Sequence, residues 1–177
     1  KRTDVPRATL RLRGEKLGPL RVLSVEDDSW RSETVTYHSA PAGSVVISAA
    51  AGAVGSMAGQ IAKALGARAV GIAGGETKCK ALLDLGFDAV ADYKAPDFAD
   101  QLKAALPEGA DVYFENVGGD VTMAVLPLLK RGARMPMCGF IAYYGMGMEG
   151  PGPDHLPGFY RQIMAKGLEI KGFAGIF

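Results

Sequence analysis

Cysteine is scarce in this 177-residue chain: Cys79 and Cys138 stand far apart, without a CxxC spacing. That excludes a disulfide framework and a zinc knuckle, and His38 and His155 do not complete a metal set. No metal site is expected, and the compartment is read as reducing. The chain also lacks any run of about 18 apolar residues and any pattern of charged start, apolar middle and small-residue cleavage site. A cytoplasmic protein with no membrane partner is therefore expected. Charge of one sign is missing too. Lys+Arg 20 against Asp+Glu 19 leaves a net charge of +1, which provides no overall field for holding nucleic acid.

What is present is globular in balance. Hydrophobic residues at 48% and charged residues at 22% argue against disorder and supply one core. Glycine is the outlier, with 24 residues against a usual share of roughly 7%. The glycines lack a three-residue period, which excludes collagen and points to crowded backbone sites. The chain begins at Lys1 and ends at Phe177 inside an apolar run, and is expected to be a fragment.

Residues 1–38 alternate apolar and polar residues in "ATLRLRG" and "GPLRVLSVEDDSW", the texture of half-buried strands, and are read as a short β-rich appendage or the remnant of a neighbouring domain. From residue 39 to 177 short β-branched or alanine-rich runs alternate with amphipathic stretches, the pattern of repeated βαβ units. Strands are expected at 43–50, 67–74, 89–93, 109–117, 132–141 and 168–177. Helices are expected at 54–65, 76–85, 97–106, 120–130 and 156–167. Parallel neighbours need crossover connections, so this order predicts an α/β fold: a Rossmann-type, doubly wound, six-stranded parallel sheet. The terminal strand "LEIKGFAGIF" is expected at an exposed edge, where pairing with a second copy would make a homodimer.

At the end of the first expected strand the chain reads Ala50-Ala51-Gly52-Ala53-Val54-Gly55, a Gly-x-Gly-x-x-Gly turn with Ala in its first position, followed by Gly59. Such a turn lets backbone approach a pyrophosphate and aims the free N–H groups of a helix at it. A side chain at Gly52 would obstruct that approach, while Gly55 and Gly59 would let the helix sit close to the first strand and its neighbours. About 20 residues further on, where an acid would bind an adenosine ribose, the chain reads Ala73-Gly74-Gly75. The missing acid leaves room for a 2′-phosphate, and Lys78 offers it a positive charge, favouring NADP(H) over NAD. The alternatives are Glu76 as a ribose ligand and Lys78 as a solvated helix residue. Tyr93 would cover the adenine with its ring or bind the phosphate through its hydroxyl, its alternative being a rim tyrosine.

"FENVGGD" and "MCGFIAYYG" follow at the carboxyl ends of the fourth and fifth strands. Ligands of open α/β sheets sit there, which makes Asn116, Val117, Gly118, Cys138, Gly139 and Tyr144 candidates around the ribose and nicotinamide. Asn116 is either a ligand or a turn residue. Cys138 reads as a small core residue rather than a nucleophile. Tyr144 is the nearby candidate for donating a proton or polarising a carbonyl, its alternative being a wall of the pocket.

Together, "AAAGAVGSMAGQIAKALGARAVGIAGG", "KCKALLDLGFDAVADYKA", "DVYFENVGGD" and "MCGFIAYYG" resemble the medium-chain dehydrogenase/reductase superfamily. Within it they resemble the zinc-free leukotriene B4 12-hydroxydehydrogenase/prostaglandin reductase group, also known as alkenal double-bond or curcumin-reductase-like reductases. The resemblance spans roughly residues 43–177. It implies that NADPH delivers hydride to the β-carbon of an α,β-unsaturated aldehyde or ketone and that a proton reaches the α-carbon. It also implies that Gly52 and Gly55 hold pyrophosphate, that Lys78 and Tyr93 recognise the 2′-phosphate, and that Asn116 and Tyr144 stand near the nicotinamide. Family members carry an N-terminal GroES-like substrate domain that residues 1–38 are too short to replace. The alternatives are a catalytically silent NADP(H)-binding module or sensor, and a quinone oxidoreductase.

Overall fold

A computed structural model describes residues 43–144 and 155–173. The expected appendage at residues 1–38 and the end of the last expected strand, 174–177, lie outside the described residues. Six strands alternate with five helices: β1 Ser44–Ile47, α1 Ala53–Ala64, β2 Arg68–Ala73, α2 Glu76–Asp84, β3 Ala89–Asp92, α3 Phe98–Ala105, β4 Ala110–Phe114, α4 Gly119–Val125, β5 Leu129–Met137, α5 Leu156–Lys166 and β6 Glu169–Gly172. The sheet order is β3-β2-β1-β4-β5-β6 and every pairing is parallel. This is the Rossmann order, with its switch point between β1 and β4.

The sheet is covered on both faces, so its central strands are apolar throughout. On one face Val45 and Ile47 pack with Ala58, Ala62, Cys79, Leu82 and Phe87, the side of α1 and α2. On the other, Val46, Ile72, Tyr113 and Met135 pack with Leu102, Val121 and Val125, the side of α3 and α4, and Phe159 and Ile163 of α5 pack against them. The alternation Val45, Val46, Ile47 thus divides one strand between two cores.

Helix α1 turns a face of small residues inward: Gly55, Ala58, Gly59 and Ala62. A β-carbon at Gly55 would stand 2.4 Å from the Ala49 carbonyl oxygen and 2.8 Å from Ala50 Cα, so the helix approaches the end of β1 as closely as expected. Gly59 differs from expectation. Its β-carbon would fall 1.9 Å from Cζ of Phe87, so the space at Gly59 is taken by a ring from the turn before β3 rather than by β1.

Two element boundaries depart from the sequence reading. The helix expected at 120–130 stops at Val125, tightens into a 3₁₀ turn over Leu126–Leu128, and gives way to β5 at Leu129. Pro127 supplies no N–H to continue an α-helix. The ammonium group of Lys166 donates to the carbonyls of Leu126, Pro127 and Leu129, which satisfies acceptors at this change of direction. The fourth strand ends at Phe114, and Glu115 makes a single bridge to Met137.

Near the amino ends of the central strands, Asp111 accepts from the Ser44 backbone N–H at 2.9 Å and from Lys130 Nζ at 2.9 Å. Desolvation alone would raise this carboxyl, but the Lys130 and Ser44 bonds outweigh it and hold it below its ordinary value. Asp88, bonded to Lys63 and to the Ala69 N–H, is lowered in the same way against its own desolvation. A carboxyl lowered by folding stabilises the protein above its unfolded value and loses that contribution as pH falls through the folded one. The thermal midpoint is therefore expected to hold between about pH 7 and 5 and to fall from about pH 4 downward. Asp111→Asn should flatten that fall, and an unchanged acid slope in the variant would refute the assignment. Gly59→Ala is expected to destabilise the fold by about 1–3 kcal/mol in denaturant unfolding. Phe87→Leu added to it should return part of the loss, whereas simple additivity of the two losses would contradict the packing described.

Candidate functional site

Because the sheet is parallel, the carboxyl ends of all its strands open onto one edge, and the chain segments there follow the strand order. Tyr93 follows β3, Gly74 and Gly75 follow β2, Ala49–Gly55 follow β1, Asn116–Gly118 follow β4, and Cys138–Tyr144 follow β5. Gly52, Ala53, Val54, Gly55, Gly74, Tyr93, Asn116, Val117, Gly118, Cys138, Gly139 and Tyr144 lie on this edge, and Glu76 and Lys78 stand in the helix that begins there.

At its centre lies the glycine turn. Ala49, at φ +48°, is the one non-glycine among the described residues in the left-handed region, and the Gly52 N–H donates to its carbonyl at 2.9 Å. A β-carbon at Gly52 would meet that same oxygen at 3.2 Å, so glycine keeps the turn tight. Helix α1 then starts at Ala53 with no side-chain cap and no acidic residue in its first turn, and Gly52, Ala53 and Val54 are exposed. Free N–H groups and the positive end of a helix dipole therefore face solvent.

On the β2–β3 side, a β-carbon at Gly74 would stand 2.7–2.9 Å from ring atoms and the hydroxyl of Tyr93, so the ring lies over the glycine. The Gly75 N–H donates to Asp92 Oδ1 at 2.9 Å, as does the Lys94 N–H at 2.9 Å. These two bonds hold the Asp92 carboxyl below its ordinary value. Gly75 itself has φ +92°. Lys78 is exposed in the first turns of α2, as is Glu76.

On the β4–β5 side, three of the expected residues come together. The space where Gly139 lacks a side chain is bounded by the Tyr144 hydroxyl at 3.1 Å and by the Asn116 carbonyl oxygen at 3.5 Å. The Tyr144 ring packs edge-on against Phe140, centroids 5.5 Å apart, and is 62% exposed. Asn116 is committed as well as placed: its Nδ2 donates to the Ser48 carbonyl at 2.8 Å. Cys138 is partly buried, and desolvation pushes its thiol above the ordinary value, as expected of a packing residue rather than a nucleophile.

Sequence reasoning missed Ser48, Glu115, Thr122 and Tyr143. Glu115 is fully buried. Its Oε1 accepts from Ser48 Oγ at 2.9 Å, the Val117 N–H at 2.5 Å and the Gly118 N–H at 3.1 Å, and its Oε2 accepts from Thr122 Oγ1. Ser48 Oγ in turn accepts from the Asn116 N–H at 2.8 Å. Burial first, and then the Glu115 charge, push the Tyr113 hydroxyl far up, which keeps it a neutral neighbour of Thr122. The Tyr143 ring lies against Gly118, where a β-carbon would meet it at 2.8 Å. The available signal was a carboxylate set directly after the apolar run Val112-Tyr113-Phe114, where a strand has no use for a charge.

Residues 53–176 match the family described as zinc-binding dehydrogenase. The chain belongs to that family. It is 48% identical over 130 residues to the NADPH-dependent curcumin reductase of Escherichia coli (strain K12), covering 73% of this chain and 38% of the relative. It is 41% identical over 135 residues to prostaglandin reductase 1 of Mus musculus, covering 74% and 40%. Among solved structures it is similar to CurA of Vibrio vulnificus in complex with NADPH, with TM-score 0.69 and 50% identity over 75% of this chain and 40% of that one. The chain thus spans about two fifths of the length of these relatives. The family's name refers to zinc; among the described residues no group of three or more His, Cys, Asp or Glu stands where it could hold a metal ion. Nor is any helix among them long and apolar enough to cross a membrane.

Proposed function

We propose that this zinc-binding dehydrogenase chain forms the NADP(H)-binding face of a reductase acting on the carbon–carbon double bond of α,β-unsaturated aldehydes or ketones. The observation that carries the reading is the arrangement along one sheet edge: an uncapped helix start at Gly52–Gly55, and beyond β4 the Tyr144 hydroxyl held over Gly139 beside Asn116. The first feature fits a diphosphate, because a helix start with no acid and no cap has only N–H groups to offer. The glycines after β2 and the exposed Lys78 fit a 2′-phosphate, while Tyr93 lies where an adenosine would be covered. The names of the curcumin reductase relative and of the NADPH-bound CurA structure support the same cofactor.

When bound, the cofactor supplies a hydride; the balanced reaction consumes NADPH, one proton and the enone, and yields NADP⁺ and the saturated carbonyl compound. Tyr144 is the residue for the proton and the carbonyl oxygen, being a hydroxyl at the carboxyl end of β5 in contact with the space beside Asn116. Gly52, Ala53, Val54 and Gly55 would hold the diphosphate, and Gly74, Lys78 and Tyr93 the adenosine phosphate. Asn116, Val117, Cys138, Gly139 and Tyr144 would line the nicotinamide end. The two cysteines are unpaired, in keeping with a reducing cytoplasm. Among the described residues β6 lies at one edge of the sheet, where pairing with a second copy would make a homodimer. A monomer mass in sedimentation would withdraw that pairing.

The deciding experiment follows NADPH oxidation at about 340 nm with a simple enal, and with a quinone as the competing acceptor. Enal turnover above the protein-free rate is expected. Turnover with the quinone alone would move the chain to quinone reduction, and saturable NADPH binding without turnover would leave a binding module. Tyr144→Phe should lower enal turnover by about a hundredfold with NADPH affinity within about threefold; an unchanged rate would remove Tyr144 from the chemistry. Lys78→Ala should weaken NADPH binding by about tenfold or more, the scale of a charge-assisted bond, with NADH within about twofold. Equal losses for the two cofactors would mean that the phosphate lies elsewhere.

A further inference from the structure

We propose that Glu115 is a positioning residue for the nicotinamide half of the cofactor: its buried carboxylate ties the end of β1, the loop after β4 and α4 into one preformed wall, on which its main chain holds the end of β5. The inference rests on the reading above, that this crevice holds NADP(H). Four donors converge on the carboxylate, and all are uncharged: the Ser48 and Thr122 hydroxyls and the Val117 and Gly118 backbone N–H groups. Burying a carboxylate is costly unless it is fully hydrogen-bonded, and an apolar residue after Phe114 would avoid that cost. What the carboxylate does that an apolar residue could not is turn two successive loop N–H groups inward and fix the peptides between them.

The consequences spread from one residue. The Glu115 carbonyl accepts from the Cys138 N–H at 2.8 Å and the Gly139 N–H at 3.2 Å, and its own N–H donates to Pro136, which fixes the end of β5. With the loop held, the Asn116 carbonyl accepts from Ile141 and the Val117 carbonyl from Ala142. Through Ser48 Oγ the same carboxylate reaches the Asn116 N–H and the segment that leads into the glycine turn. Asn116, Val117, Cys138 and Gly139 are therefore all bonded to Glu115 directly or through Ser48. None of these bonds touches Gly74, Lys78 or Tyr93. A defect at Glu115 should then be felt by the nicotinamide half and not by the adenosine half.

The test measures equilibrium binding of NADPH and of adenosine 2′,5′-bisphosphate, which carries only the adenosine end, to the wild-type chain and to Glu115→Gln. NADPH is expected to bind about tenfold more weakly to the variant, with the bisphosphate within about twofold of wild type. Equal weakening of both ligands would reduce Glu115 to a general structural role and overturn the proposal, as would unchanged NADPH affinity. A wild-type chain that binds neither ligand would overturn the cofactor reading itself, and this inference with it. Should Glu115→Gln lose cooperative thermal unfolding, Thr122→Val decides in its place, since it removes one donor and leaves the loop donors. About threefold selective weakening of NADPH supports the proposal, and no selectivity refutes it.

Discussion

Because all five strand pairings are parallel, each connection must carry the chain back across the sheet, and every loop that leaves a carboxyl end emerges on the same edge. The constraint brings Tyr93, Gly74, the glycine turn, Asn116 and Tyr144 into line although 51 positions separate Tyr93 from Tyr144 in the numbering. It also explains why β1 is the most deeply buried strand: it lies between β2 and β4 at the switch point, with helices over both faces. The crevice is thus a product of topology first and of side chains second.

What the side chains add is a division of electrostatic labour along that edge. The start of α1 offers N–H groups with no acid in its first turn, while two of the carboxylates along this edge, Asp92 and Glu115, are turned to loop N–H groups. Each carboxylate therefore shapes a loop from behind, Asp92 the Gly74–Gly75 turn and Glu115 the Asn116–Gly118 turn. The local field seen by an anion at the glycine turn remains that of a helix N-terminus. An acid close to an anion site is compatible with it when its charge is already shared with N–H donors.

The fold is readable because helix and strand periods alternate from residue 39, and each of the six strands overlaps the run that predicts it. Its errors have local causes. Pro127 ended a helix whose apolar spacing ran on to Lys130, and the β5 run begins at Leu129 because Lys166, distant in sequence, takes the carbonyls around the turn. The edge residues were legible because glycine has few reasons to cluster, and Gly52, Gly55, Gly74 and Gly139 each border a close backbone or ring contact. Glu115 was not legible, since its meaning lies in partners drawn from β1, the following loop and α4. The sequence marks Gly59 as a close approach to the first strand and its neighbours, and the ring that fills the space, Phe87, reaches it only through the tertiary fold.

The same geometry bears on the order in which a reaction could be assembled. Phe140, Ile141 and Tyr144 are all more than half exposed among the described residues, so the rim around this hydroxyl faces water. A phenol in water is a weak director of a carbonyl oxygen, because solvent competes for both partners and the surrounding dielectric is high. The wall behind it is the reverse: Ser48, Glu115 and Thr122 are buried, and their bonds are made without any ligand. One half of the crevice is thus organised in advance, and the other awaits something to exclude water. Under the proposed function, cofactor binding would draw on the first half and catalysis on both.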